Sequence, residues 1–541
     1  MLVVALALAI RLILWPYASQ DTNDHASRIF IGWRWADDPF PFLHGRWPTL
    51  HLMLVGAVIR FFHDTLRAPV LLHVLLGSLV PGVLYVFTAR EFRARTAALA
   101  VALCCAFYPI AIRTSLEVLA QAPFSLCVAL TLLALSKARE SDAHIVYVVA
   151  AGVALTLATQ LRTEGWVLVP LCALCLWPNR RKMLLFAVVA AVGPVAAMVA
   201  NNAYYGQPLF PLTAASEIMR NDVGAGYFTL VDRIRQPLTL LRGFAAGMTP
   251  LFALCASAGA VLCILRRDER ARWIFPFAGL AASMIIAAAL GTLIPKPIYT
   301  ESLGILLAPF AAAVFQMAPG INEQRSVRVV LYAALVTSTV AICLAGAARS
   351  LPESHGLRRI AIRIPMLGES PVPTFARQRE ADRLVQLIRE HRTHPRGALI
   401  LDNLRSPATY YVGLHSGYHP DRLYLASGQG AVDLEDRSAA DSRPLRQRDQ
   451  PLRGTEPADI AGFMRQQCSG MIVLQPGSRF SAWIGYRSPD RIVNAGRSVS
   501  LHEIARISWP MPADERLLAP DKSPTTAGYA VLFEYEVEGC R

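Results

Sequence analysis

Asn179-Arg180-Arg181-Lys182-Met183-Leu184-Leu185-Phe186-Ala187-Val188-Val189, with the largely apolar run that continues it to Ala203, decides the fold class of this chain. A basic cluster leading into about 20 apolar residues marks a helix crossing a hydrocarbon core roughly 30 Å thick, its positive end on the cytoplasmic side. The pattern repeats in both directions. Candidate spans lie at approximately 2–17, 69–89, 96–112, 115–136, 144–161, 165–178, 183–203, 243–265, 273–293, 302–318 and 328–347. The 541 residues are 54% hydrophobic and 17% charged, whereas a soluble domain carries about a quarter charged residues. The chain therefore reads as a polytopic α-helical membrane protein over residues 1–348. A linker at 349–376 and a soluble α/β domain at 377–541 follow.

Orientation comes from the connectors. Arg90/Arg93/Arg95, Lys137/Arg139, Arg180/Arg181/Lys182, Arg266/Arg267/Arg270/Arg272 and Arg325/Arg328 are expected on the cytoplasmic side. With 2–17 as a retained first span, counting back from these clusters works only if the apolar helix at 47–62 does not cross. It is read as an amphipathic helix at the outer surface, within a first outer loop of 18–68, which leaves about eleven spans. The remaining outward pieces are Arg113–Ser115 with Glu117, the Arg162–Gly165 turn, the loop 204–242, the segment Ile294–Glu301 and the tail. Nearly all the chemically interesting polar residues fall on this face, and the opposite face holds short Arg-rich connectors.

The net charge of +14 belongs largely to those connectors. Anionic lipid is the expected partner, and nucleic acid is not. Eight of the ten cysteines lie in apolar segments, where Cys172 and Cys175 form a CxxC without further ligands and read as packing residues. Cys468 and Cys540 are the two in the tail; outside the cytoplasm they are able to form one disulfide, with free thiols as the alternative. In the tail, Phe375–His391 has a helical period, and Gly397–Asp402, Gly470–Leu474 and Ala530–Tyr535 read as strands, an α/β alternation. The sequence shows neither an internal repeat nor a glycine-rich phosphate loop.

Ionisable groups at a membrane boundary are costly and define the candidate site. Asp21, Asp24 and His25 lie within five residues, close enough to share a proton or a divalent cation. The alternative is a solvated loop capping a helix that starts near Ala26. Trp33, Arg34 and Trp35 read as an interface belt, and His44 and His51 as lone histidines rather than ligands. Glu117 either caps a helix start or faces a cavity as a second acid. Arg162 and Glu164 either pair with each other or offer a phosphate clamp, and Lys296 with Tyr299 and Glu301 forms a similar group.

These groups occur in a recognisable order. An acidic pair follows the first span, then Gly45-Arg46-Trp47-Pro48 opens a helix, and Ala89-Arg90-Glu91-Phe92-Arg93 ends a span. Tyr108-Pro109, Ser115-Leu116-Glu117, Arg162-Thr163-Glu164-Gly165-Trp166 and Asn201–Phe210 complete the series. Over residues 1–320 the chain resembles the GT-C glycosyltransferases, in the bacterial branch similar to protein O-mannosyltransferases and the aminoarabinose transferase of lipid A. The resemblance implies a polyprenyl-phosphate-linked sugar donor, an acceptor (protein, glycan or lipid) on the periplasmic side of the bacterial inner membrane, a periplasmic C-terminal domain, and inversion at the anomeric carbon. It places Asp24 as the catalytic base with Asp21 assisting, and Glu117 as the second catalytic acid. His25, Arg113, Arg162, Glu164, Lys296 and Tyr299 become the substrate-binding residues, with Arg162 and Lys296 on the lipid phosphate. The chain departs from the family in having Asp24-His25 where Asp-Glu is common, and Lys296…Tyr299 where Arg-Tyr is usual. Two rival readings are a transporter or flippase of a lipid-linked sugar, which calls for broken-helix pairs and internal symmetry, and a non-catalytic membrane scaffold.

Overall fold

The structure is a computed structural model. It describes residues 1–15, 23–317 and 325–348, with gaps at 38, 40–46, 66, 141–144, 211, 214–215, 217–227 and 294. It further describes 374–425 with gaps at 393–396, 403, 405 and 420–421, then 464, 467–476, 481, 486–487, 491–492, 499–509 and 528–539. Asp21, Cys540 and residues 349–373 of the expected linker lie outside the described residues.

The helices in chain order are α1 (Leu2–Leu14), α2 (Asn23–Asp37), α3 (Thr49–Phe62), α4 (Arg67–Phe92), α5 (Arg95–Ala106), α6 (Pro109–Leu116), α7 (Gln121–Ala138), α8 (Ile145–Leu161) and α9 (Glu164–Leu174). There follow α10 (Arg180–Tyr205), α11 (Leu230–Met248), α12 (Pro250–Leu265), α13 (Ile274–Ala289), α14 (Glu301–Leu307), α15 (Ala311–Met317), α16 (Arg325–Ala348), α17 (Thr374–Glu390) and α18 (Ser406–His415). Among the described residues six helices are long and apolar enough to cross a membrane, or up to eight if each bent pair is one span; α1, α3, α8 and α9 are shorter apolar helices. The protein is a multi-pass membrane protein.

Chain contacts group residues 1–19, 43–54 and 66–369 into one compact unit and 20–42, 55–65 and 370–541 into a second. In the first, the helices bury small and branched apolar side chains against one another. On α5 the buried set includes Ala97, Ala98, Val101, Ala102, Cys104 and Ala106, the kind of slim surface that lets helices approach closely where lipid offers no hydrophobic drive. Gly259 of α12 marks the tightest such approach, since a Cβ there would stand 1.8 Å from the Phe310 carbonyl oxygen.

Two apolar runs read as single spans are broken. The segment 96–112 is divided into α5 and α6, which meet at 48° where Pro109 takes the first position of α6. The segment 243–265 turns by 104° between α11 and α12, at Thr249, whose φ is 70°, with Pro250 opening α12. Proline at N1 lacks only an N–H that a helix start leaves unpaired, so both breaks are accommodated by hydropathy-neutral residues. All eight cysteines of the apolar segments are free, as packing residues should be.

The second unit contains a sheet of order β2-β1-β3-β7-β6-β5-β4. Its strands are β1 (Ala398–Leu401), β2 (Leu423–Leu425), β3 (Ser469–Leu474), β4 (Tyr486–Arg487), β5 (Arg491–Ile492), β6 (Val499–Ser508) and β7 (Tyr529–Val537). β1 is parallel to both β2 and β3, and the other pairings are antiparallel. β1 is buried on both faces: Leu399 and Leu401 join one core cluster, and Ala398 and Ile400 the other. That is why it reads as a continuous apolar run. Asp402 ends it, buried, its Oδ2 accepting from the Gln475 N–H at 2.7 Å. Cys468 is disulfide-bonded.

Gly259→Ala should lower the unfolding temperature of the detergent-solubilised protein, because the added methyl must push α12 from the Phe310 carbonyl, an overpacking cost of about 1–3 kcal/mol. Thermal unfolding followed by tryptophan fluorescence checks it.

Candidate active site

The short helix α6 organises the polar interior of the first unit. Three consecutive side chains near its end, Arg113, Thr114 and Ser115, meet different partners. Arg113 Nε donates to Glu117 Oε1 at 2.7 Å, one helical turn on. Thr114 Oγ1 donates to Glu301 Oε2 at 2.5 Å, and Ser125 of α7 donates to Glu301 Oε1 at 2.7 Å. Ser115 Oγ accepts from Arg11 Nε at 3.3 Å while donating to the Ala111 carbonyl at 2.6 Å. Arg11 also donates to the carbonyls of Ala7 (3.0 Å) and Ala106 (3.5 Å), the latter at the α5–α6 break. Adjacent hydroxyls on one helix therefore serve a carboxylate and a guanidinium that are 2% and 1% exposed.

The second group centres on Arg162, in the turn between α8 and α9. Its Nε donates to both Glu164 carboxylate oxygens at 3.2 Å, and Nη2 donates to Glu164 as well. Its guanidinium carbon lies 5.5 Å from the centre of the Tyr299 ring, a cation–π distance. The Nη1 edge makes no hydrogen bond among the described residues. Both Arg162 and Arg11 lie within the electrostatic reach of Glu301, so Glu301 joins the two groups into one field.

Four polar atoms in the helices of the first unit are buried without a hydrogen-bond partner among the described residues: Thr88 Oγ1, the Tyr108 hydroxyl, Gln121 Oε1 and Gln160 Nε2. Left unpaired, such an atom costs about 1–3 kcal/mol. The backbone adds a further cost: Val118, next to Glu117, sits at φ 48° with its side chain fully buried. A β-branched residue in that region is strained by about 1–3 kcal/mol.

The structure thus brings Arg113 to Glu117, and Arg162 to Glu164 and Tyr299. Lys296 is exposed and starts the turn leading to Tyr299, without an ion pair among the described residues. Asp24 lies in the first turn of α2, which starts at Asn23 rather than near Ala26, and its side chain is outside the described residues. His25 is buried, and both belong to the second unit. For a cation, no group of three or more His, Cys, Asp or Glu residues is found among the described residues. His51 is not a lone histidine. His73 Nδ1 donates to the Pro69 carbonyl at 2.7 Å, which leaves His73 Nε2 as acceptor for His51 Nε2–H, also at 2.7 Å. Sequence reasoning set Arg11 aside as an interruption, left Thr114 and Ser125 out of the site, and grouped Glu301 with Lys296 and Tyr299 rather than with α6 and α7. The available signal was an arginine and a glutamate each at an apolar run.

Residues 47–205 match the family model described as dolichyl-phosphate-mannose-protein mannosyltransferase. Among solved structures, ArnT from Cupriavidus metallidurans bound to undecaprenyl phosphate superposes with a TM-score of 0.57 at 16% identity, over 98% of this chain and 97% of that one. The same protein in its apo state gives a TM-score of 0.53 at 15% identity over the same shares. No curated protein matches the chain by sequence. At such identity the likeness is one of fold, and it supports the GT-C resemblance: an ArnT-like helical membrane domain with a C-terminal sheet domain.

Glu301→Gln should lower the unfolding temperature, because it removes the carboxylate charge that favours the buried Arg11; breaking a buried pair costs roughly 3–5 kcal/mol when the partners touch, and less at this range. Adding Arg11→Met should recover part of the loss, read from unfolding curves of the single and double variants.

Proposed function

We propose that this protein is a glycosyltransferase that moves a sugar from a polyprenyl-phosphate carrier to an acceptor on the periplasmic side of the bacterial inner membrane, with inversion at the anomeric carbon. The observation that carries the reading is Arg162: a partly buried guanidinium held in orientation by Glu164 and Tyr299, with its Nη1 edge left for an anion. A departing lipid phosphate needs such fixed positive charge. The carrier's tail is retained in the bilayer by about 0.8 kcal/mol per methylene, so its phosphate must be met at the membrane boundary, where short turns such as Arg162–Glu164 lie. The ArnT fold and the mannosyltransferase family match support the same class of reaction, as does the undecaprenyl phosphate bound to ArnT.

In this reading Asp24 deprotonates the acceptor, with Asp21 or His25 assisting, and the acceptor attacks the anomeric carbon as the carbon–oxygen bond to phosphate breaks. One displacement inverts the centre. Arg113 holds the Glu117 carboxylate to orient substrate, and Arg162 with Lys296 takes the negative charge of the leaving phosphate. Residues 1–348 form the catalytic membrane domain and 377–541 a periplasmic domain; the disulfide at Cys468 supports an oxidising compartment for the tail. Should Asp21, Asp24 and His25 hold a divalent cation, it would polarise the donor phosphate.

In proteoliposomes loaded with a labelled polyprenyl-phosphate sugar, Asp24→Asn should abolish transfer while insertion and the unfolding temperature stay as in the parent. Arg162→Met should reduce turnover by roughly 100- to 1000-fold. Translocation of the labelled lipid without transfer, in the parent protein, would replace this reading with that of a flippase.

A further inference from the structure

Helix α2 carries Asp24 in its first turn, and its order comes from elsewhere in the chain. It is 15 residues long, contains Gly32 and mixes charged with aromatic residues. A helix of that length and composition is marginal in water on its own. Two surfaces of the second unit supply what it lacks.

The first surface is the C-terminal α/β domain. Phe30, 2% exposed, belongs to the same buried cluster as Ala381, Leu384 and Ile388 of α17, Leu399 and Leu401 of β1 and Tyr410 of α18, with Trp33 packed against it. The Phe30 and Tyr410 ring centroids are 5.6 Å apart, and Phe30 meets Trp33 edge-on at 5.9 Å. At the C-terminal end of α2, Asp37 Oδ1 accepts from His419 Nε2 at 2.8 Å across a sequence separation of 382 residues.

The second surface is the C-terminal half of α3. A Cβ on Gly32 would stand 2.6 Å from Val55 Cγ1, and one on Gly56 would stand 2.5 Å from Trp35 Cε3 and 2.7 Å from the Gly32 carbonyl oxygen. The helices therefore cross at a glycine pair that permits backbone approach, and Arg60 Nη1 donates to the Ala36 carbonyl at 2.7 Å. Within the second unit α2 is therefore packed on two sides, by the C-terminal domain and by α3.

We propose that the C-terminal domain is a positioning device for the catalytic helix α2, with Tyr410 and Phe30 as the contact through which it sets the placement of Asp24. This rests on the transferase reading and adds the role of the tail to it. Its aromatic cluster fixes the rotation of the helix that presents the base. A base displaced by about 1 Å loses on the order of 100-fold in rate. The loss falls on kcat, because a contact that only places the base contributes nothing to holding the lipid donor.

The test uses the full-length protein in lipid nanodiscs, with labelled polyprenyl-phosphate sugar as donor and hydrogen exchange of the α2 amides as a second readout. Phe30→Ala and Tyr410→Ala should each accelerate α2 exchange and lower kcat about 10- to 100-fold with the donor KM unchanged. The double variant should be no slower than the slower single one, since both remove one contact. Tyr410→Phe, which keeps the ring, should restore exchange protection and rate together. Because truncating a core aromatic can unfold the domain, His419→Ala is measured alongside: it removes the exposed imidazole that donates to Asp37 and should loosen the last turn of α2 and slow turnover by a smaller factor. Unchanged α2 exchange in every variant overturns the proposal, and so does faster exchange at the parental kcat. Transfer abolished in Asp24→Asn but untouched in the two alanine variants removes this proposal alone; transfer undiminished in Asp24→Asn removes the base assignment and this proposal with it.

Discussion

A carboxylate and a guanidinium cannot stay charged inside an apolar helical bundle unless neighbouring dipoles replace the water they lose, and α6 is built around that requirement. On insertion scales a charged side chain at a helix centre costs about 2.5–3.5 kcal/mol. Glu301 recovers it with two hydroxyls, from Thr114 and Ser125, and Arg11 with Ser115 and two backbone carbonyls. Thr114 and Ser115 are consecutive, so a single helix turn addresses both charges. The arrangement explains why α6 is separate from its neighbours. A continuous α5–α6 span would carry Thr114 and Ser115 round with the helix, whereas the 48° break at Tyr108-Pro109 sets their direction independently. The other end of α6 stops at Glu117 and the strained Val118. Both ends are therefore bent to suit the charges between them.

The membrane architecture was legible in the sequence because its cause is local: an apolar run of sufficient length between basic connectors admits few conformations in a bilayer. The strand at Ala398–Leu401 was legible for the same reason, as four apolar residues buried on both faces. The breaks were not. The runs 96–112 and 243–265 are uninterrupted in hydropathy, and the bends at Pro109 and Thr249-Pro250 use residues that a window of apolar character passes over. For Glu301 the reason differs. It lies two residues past Tyr299 and groups with Lys296 and Tyr299 along the chain, and only the approach of α6 and α7 shows it to be enclosed. The pairs Arg113–Glu117 and Arg162–Glu164 follow from spacing alone, at i,i+4 and within one turn. The packing of Phe30 on Tyr410 joins segments so far apart that no pattern along the chain announces it.

Helix α7 carries two polar networks that differ in what their arginines are engaged with. Ser125 and Ser136 are eleven residues apart, about 16 Å along a helix rising 1.5 Å per residue. At Ser136 the network is closed. Glu91 accepts from Ser136, from Arg139 at 3.3 Å and from the Trp273 indole at 2.8 Å, and Arg139 also reaches Glu269 at 3.2 Å while lying over the Trp273 ring. Charge and hydrogen-bonding capacity are spent on joining α4, α7 and the turn before α13. Such a network sits where basic connectors gather and has nothing left to offer a substrate.

At Ser125 the balance is different. Glu301 is satisfied, but the Tyr108 hydroxyl and Gln121 Oε1 find no hydrogen-bond partner among the described residues, and the backbone at Val118 holds a strained conformation. Such costs are not confined to this end, since Thr88 Oγ1, one turn before Glu91, is unpartnered as well and Arg93 sits at φ 50°. What distinguishes the two ends is the state of their arginines. Arg139 is engaged by Glu91 and Glu269, whereas the Nη1 edge of Arg162 makes no hydrogen bond among the described residues while Glu164 and Tyr299 hold the rest of the guanidinium. On the transferase reading, that edge is what a leaving phosphate would meet, oriented before the anion arrives, and preorganisation of that kind is what such a site requires.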